Sequence, residues 1–262
     1  MWPPDRPRPF GIRSMEYFLQ IYGSLPRAGP GSDELTRRAV EMIPQLPDSP
    51  RILDVGCGPG AQTLELLRRT AGTVVALDFL PEMIERVSAS AESAGLAGRL
   101  ETTVQDMGEM TFQPASFDVI WSEGAIYNLG FENGLRVFRE FVKPGGYVAI
   151  SEAVWLKSDP PAEVIEFWQE YPEIDTVAAK LKVAERCRYE VLGHFVFPAN
   201  AWTDQYYDPM EERIEEKREE WSGIPEAEAV LTAATKEISV FREYSDFFSY
   251  AFFVLRRKRN NK

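Results

Sequence analysis

Through the middle of the chain, short unbroken apolar runs alternate with stretches whose apolar residues recur every three or four positions. "RILDVG", "TVVALD", "LETTV", "FDVIW" and "GYVAIS" read as strands, and segments 61–70, 82–94 and 131–142 as helices. Strands apolar along their whole length and separated by helices predict a parallel sheet covered on both faces. Right-handed crossovers make such an α/β sheet doubly wound. Upstream, Met15, Phe18, Leu19 and Tyr22 predict a helix capped by Ser14, broken by "PRAGPGS". A second helix follows Ser32, with Asp33 and Glu34 at its positive end and Leu35, Ala39, Val40, Ile43 and Leu46 on one face; "QLPDSP" ends it. After Trp155 come helices at 161–170 and 175–187, the strand "YEVLGHFVF", helices around 210–221 and 226–238, and the strand "FFSYAFFVL". That makes seven strands, with no internal repeat.

Composition narrows the classes. The 262 residues are 44% hydrophobic and 12% aromatic, enough for a packed core within one domain. We expect residues 14–48 to form N-terminal helices or a lid, 50–155 the core that holds a ligand, and 156–262 the substrate-side helices and final strands. No run approaches the roughly 18 apolar residues of a membrane span, and "MWPPDRPRPF" lacks the apolar stretch of a secretion signal. Two cysteines, Cys57 and Cys187, point to a reduced, cytoplasmic protein. A net charge of −12 argues against a nucleic-acid partner; the one basic run is the tail "RRKRNNK". One histidine, His194, sits mid-strand and reads as structural, and a metal site is not expected.

The chemistry concentrates in "ILDVGCGPG". Gly56, Gly58 and Gly60 end the first core strand just before a helix. In open α/β sheets ligands sit beyond the carboxyl ends of the strands, where strand order reverses. Glycines there free the backbone to turn and bring a ligand against the main chain, in front of a helix N-terminus with unpaired N–H groups. A dinucleotide site would space its glycines G-x-G-x-x-G with an acid about twenty residues on; here the spacing is G-x-G-x-G, preceded by Asp54, with Asp78 closing "TVVALD". A structural turn without a ligand is the plain alternative.

That arrangement resembles the first motif of class I S-adenosylmethionine-dependent methyltransferases, and the resemblance extends over roughly residues 50 to 155. "VVALDFLPEMI" is similar to the second motif, "VQDMGEM" to the third, "FDVIWSEGAIYNL" to the fourth-strand segment and "REFVKPGGYVAISE" to the fifth. It implies a Rossmann-like sheet of seven mostly parallel strands whose last strand is antiparallel, with an N-terminal helical lid and helical insertions near the C-terminus. It also implies S-adenosyl-L-methionine as cofactor: Asp54 orienting the methionine amino group through Gly56, Cys57, Gly58 and Gly60; Asp78 on the ribose hydroxyls; Phe79 and Leu80 flanking adenine; Asp106 beside Met107 on the adenine amino group. Arg27 and Gly29, in "PRAGPGS", either approach the cofactor's amino-acid end or form a plain inter-helix turn.

For the acceptor side, the N-terminal segment, the loop after the fourth strand and "ANAWTDQYYDPM" each bring aromatics: Tyr17 and Tyr22; Trp121 and Tyr127; Trp202, Tyr206 and Tyr207. A sulfonium suits aromatic faces and carboxylates. Glu123 is the candidate base or orienting group, and also a candidate cofactor contact, with Tyr127 and Tyr206 the other catalytic candidates. The fourth strand carries "SEGA" in place of the Asn/Asp-Pro-Pro-Tyr of enzymes that methylate nucleic-acid amino groups, and no cysteine follows it. "FVKPGG" is similar to the ubiquinone/menaquinone C-methyltransferase group. The expected activity is methyl transfer to a small organic molecule by a monomer or homodimer, away from membranes. A cofactor-binding scaffold without turnover, or a methyltransferase of protein or RNA, are the alternatives. "EERIEEKREEW" reads as a solvated helix with i,i+4 ion pairs, or a dimer contact.

Overall fold

A computed structural model describes residues 12–259. Eight strands form one sheet: β1 (Arg51–Val55), β2 (Thr73–Asp78), β3 (Leu100–Val104), β4 (Phe117–Ser122), β5 (Val142–Trp155), β6 (Asp175–Thr176), β7 (Tyr189–Val196) and β8 (Phe248–Arg257). Ten helices accompany them: α1 (Ile12–Ile21), α2 (Asp33–Glu41), α3 (Ala61–Arg69), α4 (Pro81–Ser93), α5 (Phe131–Phe141), α6 (Ala162–Phe167), α7 (Val177–Arg186), α8 (Asn200–Trp202), α9 (Asp208–Glu220) and α10 (Pro225–Tyr244). The strand order is β3-β2-β1-β4-β5-β8-β7, with the two-residue β6 beside β5. Strands β1 to β5 run parallel, and β8 is antiparallel to both β5 and β7. The seven expected strands are all present, and the eighth, β6, is too short to leave a periodic signal.

Because each central strand is apolar on both faces, each face of the sheet needs its own cover. On one face Ile52, Val74, Val119, Trp121, Ala149, Phe252 and Val254 pack with residues of α1, α2, α3 and α10. On the other, Leu53, Val75, Ile120, Val148, Ile150, Phe253 and Leu255 pack with α5 and α7. Helix α5 shows the pattern at its clearest: Phe131, Leu135, Phe138 and Phe141 are buried on one stripe. The chain steps outward from β1 to β2 and β3, then returns to β4 on the other side of β1. The crevice at the carboxyl ends of β1 and β4 is the switch point.

Several boundaries move. Helix α1 begins at Ile12, so Ser14 lies inside its first turn instead of capping it. Ser32 does cap α2, its hydroxyl accepting from Leu35 N at 3.2 Å. Helix α2 stops at Glu41, short of Leu46, because Pro44 disfavours helical backbone at the residue before it. The "ANAWTDQYY" stretch is helical, passing from α8 through a π-helical turn (Thr203–Tyr207) into α9. The ion pairs within α9 are Arg213–Glu216, Lys217–Glu220 and Arg218–Glu215, at i,i+3 where i,i+4 was expected, and Asp208 and Glu211 pair with Arg242 of α10. His194 is exposed on β7, its ring 6.4 Å from Phe253. The proline-rich segment "MWPPDRPRPF" lies outside the described residues. Among the described residues no helix is long and apolar enough to cross a membrane, and no three potential metal ligands cluster.

Candidate functional site

The loop after β1 is tied down before it reaches any ligand. Gly56 N and Cys57 N both donate to Leu77 O, at 2.8 and 3.0 Å, locking the loop to the end of β2. The three glycines then do different work. A Cβ on Gly60 would stand 2.3 Å from Val87 Cγ2 and one on Gly56 2.5 Å from Ala125 Cβ, so both let neighbouring backbone pack close. Gly58, at φ +52°, would meet only Ala28 Cβ, at 3.5 Å; its missing side chain leaves open space on the cavity wall.

Behind the loop, Asp54 is fully buried. Its carboxylate accepts from Thr63 Oγ1 at 2.5 Å and Gln62 Nε2 at 3.4 Å, and Gln62 Nε2 also donates to Cys57 O at 3.0 Å. Burial pushes its acid form up to about 7, partly opposed by the Thr63 hydrogen bond. Asp54 therefore acts from beneath, through Gln62, which lines the cavity as Asp54 itself does not.

Asp78 closes β2 and faces the cavity, 7% exposed. One carboxylate oxygen accepts from Gly58 N and the other from Leu80 N, both at 3.0 Å. Burial raises its pKa, and those backbone N–H groups pull it back. Each oxygen keeps lone-pair capacity for a further donor. Phe79, 53% exposed, and Leu80 continue the wall, joined by Met83, Gln105 and Met107. Asp106 lies outside the lining: the chain alternates through 105–107, and its Oδ1 accepts from Gly108 N at 2.7 Å, turning the loop.

After β4, the Glu123 carboxylate is almost wholly engaged. Oε1 accepts from Thr36 Oγ1 at 2.7 Å and Trp121 Nε1 at 2.8 Å; Oε2 pairs with Arg27 Nη1 at 3.1 Å. Both members of that ion pair have side chains only 4% exposed. Arg27 spreads its guanidinium over three elements, with Nε on Gln205 Oε1 at 3.0 Å and Nη2 on Asp33 Oδ1 at 2.8 Å. The "PRAGPGS" turn is thereby fastened to β4, α2 and the π-helical turn. A carboxylate held by three donors, one of them charged, is fixed in place and fixes its neighbours in turn.

Together these residues border a cavity of about 350 Å³, its lining completed by Met15, Phe18, Tyr22 and residues 27–30. Of the sequence candidates, Arg27, Gly56, Cys57, Gly58, Asp78, Phe79, Leu80, Met107, Glu123 and Tyr127 line it. Asp54, Gly60, Asp106 and Tyr206 do not. Tyr206 is buried, its hydroxyl 2.8 Å from Glu237 Oε1, and Tyr22 stands at the wall instead. Sequence reasoning passed over Gln62, Met83, Gln105 and Glu237. The first three occupy ordinary helical or loop positions, and Glu237 reads as a surface glutamate on α10.

This strand order, with a glycine loop over the first strand and an acid ending the second, is the fold of the class I S-adenosylmethionine-dependent methyltransferases. Residues 52–146 match the family model described as a methyltransferase domain. Two relatives match part of the chain: the sterol 24-C-methyltransferase of Aspergillus fumigatus is 33% identical over 110 residues, 42% of this chain and 29% of that one. The ubiquinone/menaquinone biosynthesis C-methyltransferase of Geotalea daltonii is 36% identical over 126 residues, 47% of this chain and 53% of that one. The chain thus spans between under a third and about half of these relatives' lengths. A solved S-adenosylmethionine-dependent methyltransferase of Geobacter sulfurreducens, in complex with S-adenosyl-L-homocysteine, superimposes with a TM-score of 0.81 at 18% identity, covering 93% of this chain and 98% of that one. That likeness extends the shared fold beyond the matched core to nearly the whole chain.

Proposed function

We propose that the protein transfers the methyl group of S-adenosyl-L-methionine to a small organic molecule, with 14–48 and 156–262 closing one domain around the 50–155 core. The observation that carries this reading is the pairing, on one cavity wall, of side-chain-free space at Gly58 with the buried Asp78 carboxylate. The residues present fit the cofactor. A Cβ at Gly58 would intrude where a ligand touches the main chain, and Asp78 has acceptor capacity left for two sugar hydroxyls. Phe79, Leu80, Met83 and Met107 offer apolar faces for the base, and Gln105 a polar edge. Gln62, Glu123 and residues 27–30, also on the lining, offer polar groups suited to an amino acid's charged ends.

The cofactor would supply a methyl group on a positively charged sulfur: an acceptor lone pair would form the new bond to carbon, the S–CH₃ pair would remain on sulfur as a neutral thioether, and the acceptor's proton would pass to solvent. The chain's own contribution is placement and shielding. Asp54 fixes Gln62 and the loop; Glu123 fixes Arg27 and Trp121; Tyr22 and Tyr127 form the aromatic border where an acceptor would approach. Holding two reactants in line supplies about 7–11 kcal/mol in the best cases.

The test is titration calorimetry with S-adenosyl-L-homocysteine, followed by methyl-labelled cofactor with a metabolite extract. Micromolar binding and a labelled small product support the reading. Absence of binding refutes the site; binding with no labelled product supports a scaffold instead, and label on protein or RNA the macromolecular alternative.

A further inference from the structure

The cavity takes its lining from two stretches of chain. Core residues between 56 and 128 supply one part, and Met15, Phe18, Tyr22 and residues 27–30 the other; among the described residues nothing after Asn128 lines it. The helices of 156–262 therefore act on the cavity at second hand, through the segment 15–30. Among the described residues no main-chain hydrogen bond joins that segment to the core, so side chains hold it down. Several of the anchors belong to the C-terminal helices. Tyr22 Oη donates to Glu237 Oε2 of α10 at 3.1 Å, Arg213 Nε of α9 to Gln20 O at 3.1 Å, and Arg27 Nε to Gln205 Oε1 of the π-helical turn at 3.0 Å. Gly31 N donates to Ala201 O at 2.8 Å. The Tyr17 ring meets Trp221 edge-on, with centroids 5.0 Å apart. From the core, Arg86 of α4 donates to the Gly23 and Ser24 carbonyls, and Glu123 pairs with Arg27.

Glu237 stands where two of these routes meet. Its Oε2 takes Tyr22, and its Oε1 accepts from Tyr206 Oη at 2.8 Å and Tyr207 Oη at 3.2 Å. The same carboxylate thus holds the segment directly and fixes the π-helical turn from which Gln205 reaches Arg27. That turn is a rare conformation, and the two tyrosines it presents both close on Glu237. The three tyrosines are each less than 10% exposed. A carboxylate taken out of water is costly unless hydrogen bonds satisfy it, and the three phenols do so. Hydrogen bonds to a charged acceptor are also roughly twice as strong as neutral ones. A segment fastened by side chains opens locally at less cost than the whole domain unfolds, so the strength of its fastening sets how long a ligand stays beneath it.

We propose that Glu237 is a positioning residue that seats the segment 15–30 on the cavity, by Tyr22 directly and by the π-helical turn at Arg27. This deepens the methyl-transfer reading, on which it rests for the identity of the ligand. The test compares Glu237→Leu, Glu237→Gln and Leu135→Ala, the last a core truncation on α5 away from the cavity lining. Hydrogen exchange of the free proteins reads the seat, and the dissociation rate of S-adenosyl-L-homocysteine reads its effect on a ligand. In Glu237→Leu, amides of 15–31 should exchange about tenfold faster with those of β1 to β5 unchanged. The ligand should leave that variant about tenfold faster. Glu237→Gln still accepts, and its NH₂ can donate to a phenol oxygen, so both rates should return to within about threefold of wild type. Leu135→Ala should lower the melting temperature without singling out 15–31 or hastening dissociation. Unchanged exchange at 15–31 in Glu237→Leu overturns the proposal, and so does an equal rise in Leu135→Ala, which would make the effect one of global stability. Should Glu237→Leu fail to fold, Tyr22→Phe breaks the direct route alone and should raise exchange at 15–24 about threefold; no rise there overturns the proposal. If wild type does not bind S-adenosyl-L-homocysteine, the methyl-transfer reading fails and the exchange rates alone decide the seat.

Discussion

Replacing Asp78 by Asn is the most demanding test of the site, because shape is kept while charge and one acceptor are lost. In the wild type its two oxygens accept from Gly58 N and Leu80 N, each at 3.0 Å. Asparagine can accept at one of these positions; at the other its NH₂ faces a backbone N–H, donor against donor. A hydrogen bond to a charged group is worth about 1.5–3 kcal/mol, and an unsatisfied buried donor costs about 1–3 kcal/mol. The folded protein should therefore lose roughly 1–3 kcal/mol. Ligand binding suffers separately, since any sugar hydroxyl now meets an amide and the charge-assisted part of its bond is gone. A loss of about 2–3 kcal/mol in binding corresponds to a Kd weaker by roughly 30- to 150-fold. Calorimetry with S-adenosyl-L-homocysteine reads the second quantity, and thermal melts of the free protein the first. An Asp78→Asn protein that binds within threefold of wild type would refute the reasoning, since the carboxylate would then not be touching the ligand.

The other expectations separate fold from site. Gly60→Ala puts a Cβ 2.3 Å from Val87 Cγ2 at φ +93°; left-handed backbone at about 1–2 kcal/mol and overpacking at about 1–3 should lower the melting temperature sharply. Gly58→Val has open space before it and should act mainly on affinity for S-adenosyl-L-homocysteine; a melt as low as that of Gly60→Ala would contradict the division. Asp54, raised by burial from an ordinary carboxylate value to about 7, binds its proton more tightly folded than unfolded. Its contribution to stability is therefore full below about pH 4 and is lost as pH rises through 7. Asp54→Asn should flatten that part of the melting-temperature profile between pH 5 and 8, and an unchanged slope would count against it. Lys180 and Glu152, both about 98–99% buried, form a pair at 3.5 Å. Lys180→Met should cost about 3–5 kcal/mol in urea unfolding by stranding Glu152, and adding Glu152→Leu should recover most of it.

What the sequence revealed follows from how local the physics is at each place. The strands β1, β2, β4 and β5 were legible because burial on both faces leaves local evidence, an apolar run, whereas β3 is an edge strand with Glu101, Thr102 and Val104 exposed. Part of the cavity wall was legible for a related reason: a loop that presents main chain gives up side chains, so Gly56 and Gly58 are marked in the chain itself, with Asp78 closing β2 beside them. The rest of the wall was not. Tyr206 and Tyr22 look alike in sequence, and which of them borders the cavity depends on how α10 and the π-helical turn pack, contacts between residues 215 apart in the case of Tyr22 and Glu237. Glu237 lies among polar residues on a helix and gives no local sign of burial; only the arrival of three phenols makes it so. At 105–107, in the loop after β3, Gln105 and Met107 line the cavity while Asp106 Oδ1 accepts from Gly108 N and turns the loop, a distinction that the local sequence does not carry. A motif thus fixes where the backbone passes more firmly than which side chain lines the cavity, and the rest of the wall is brought together only by the fold.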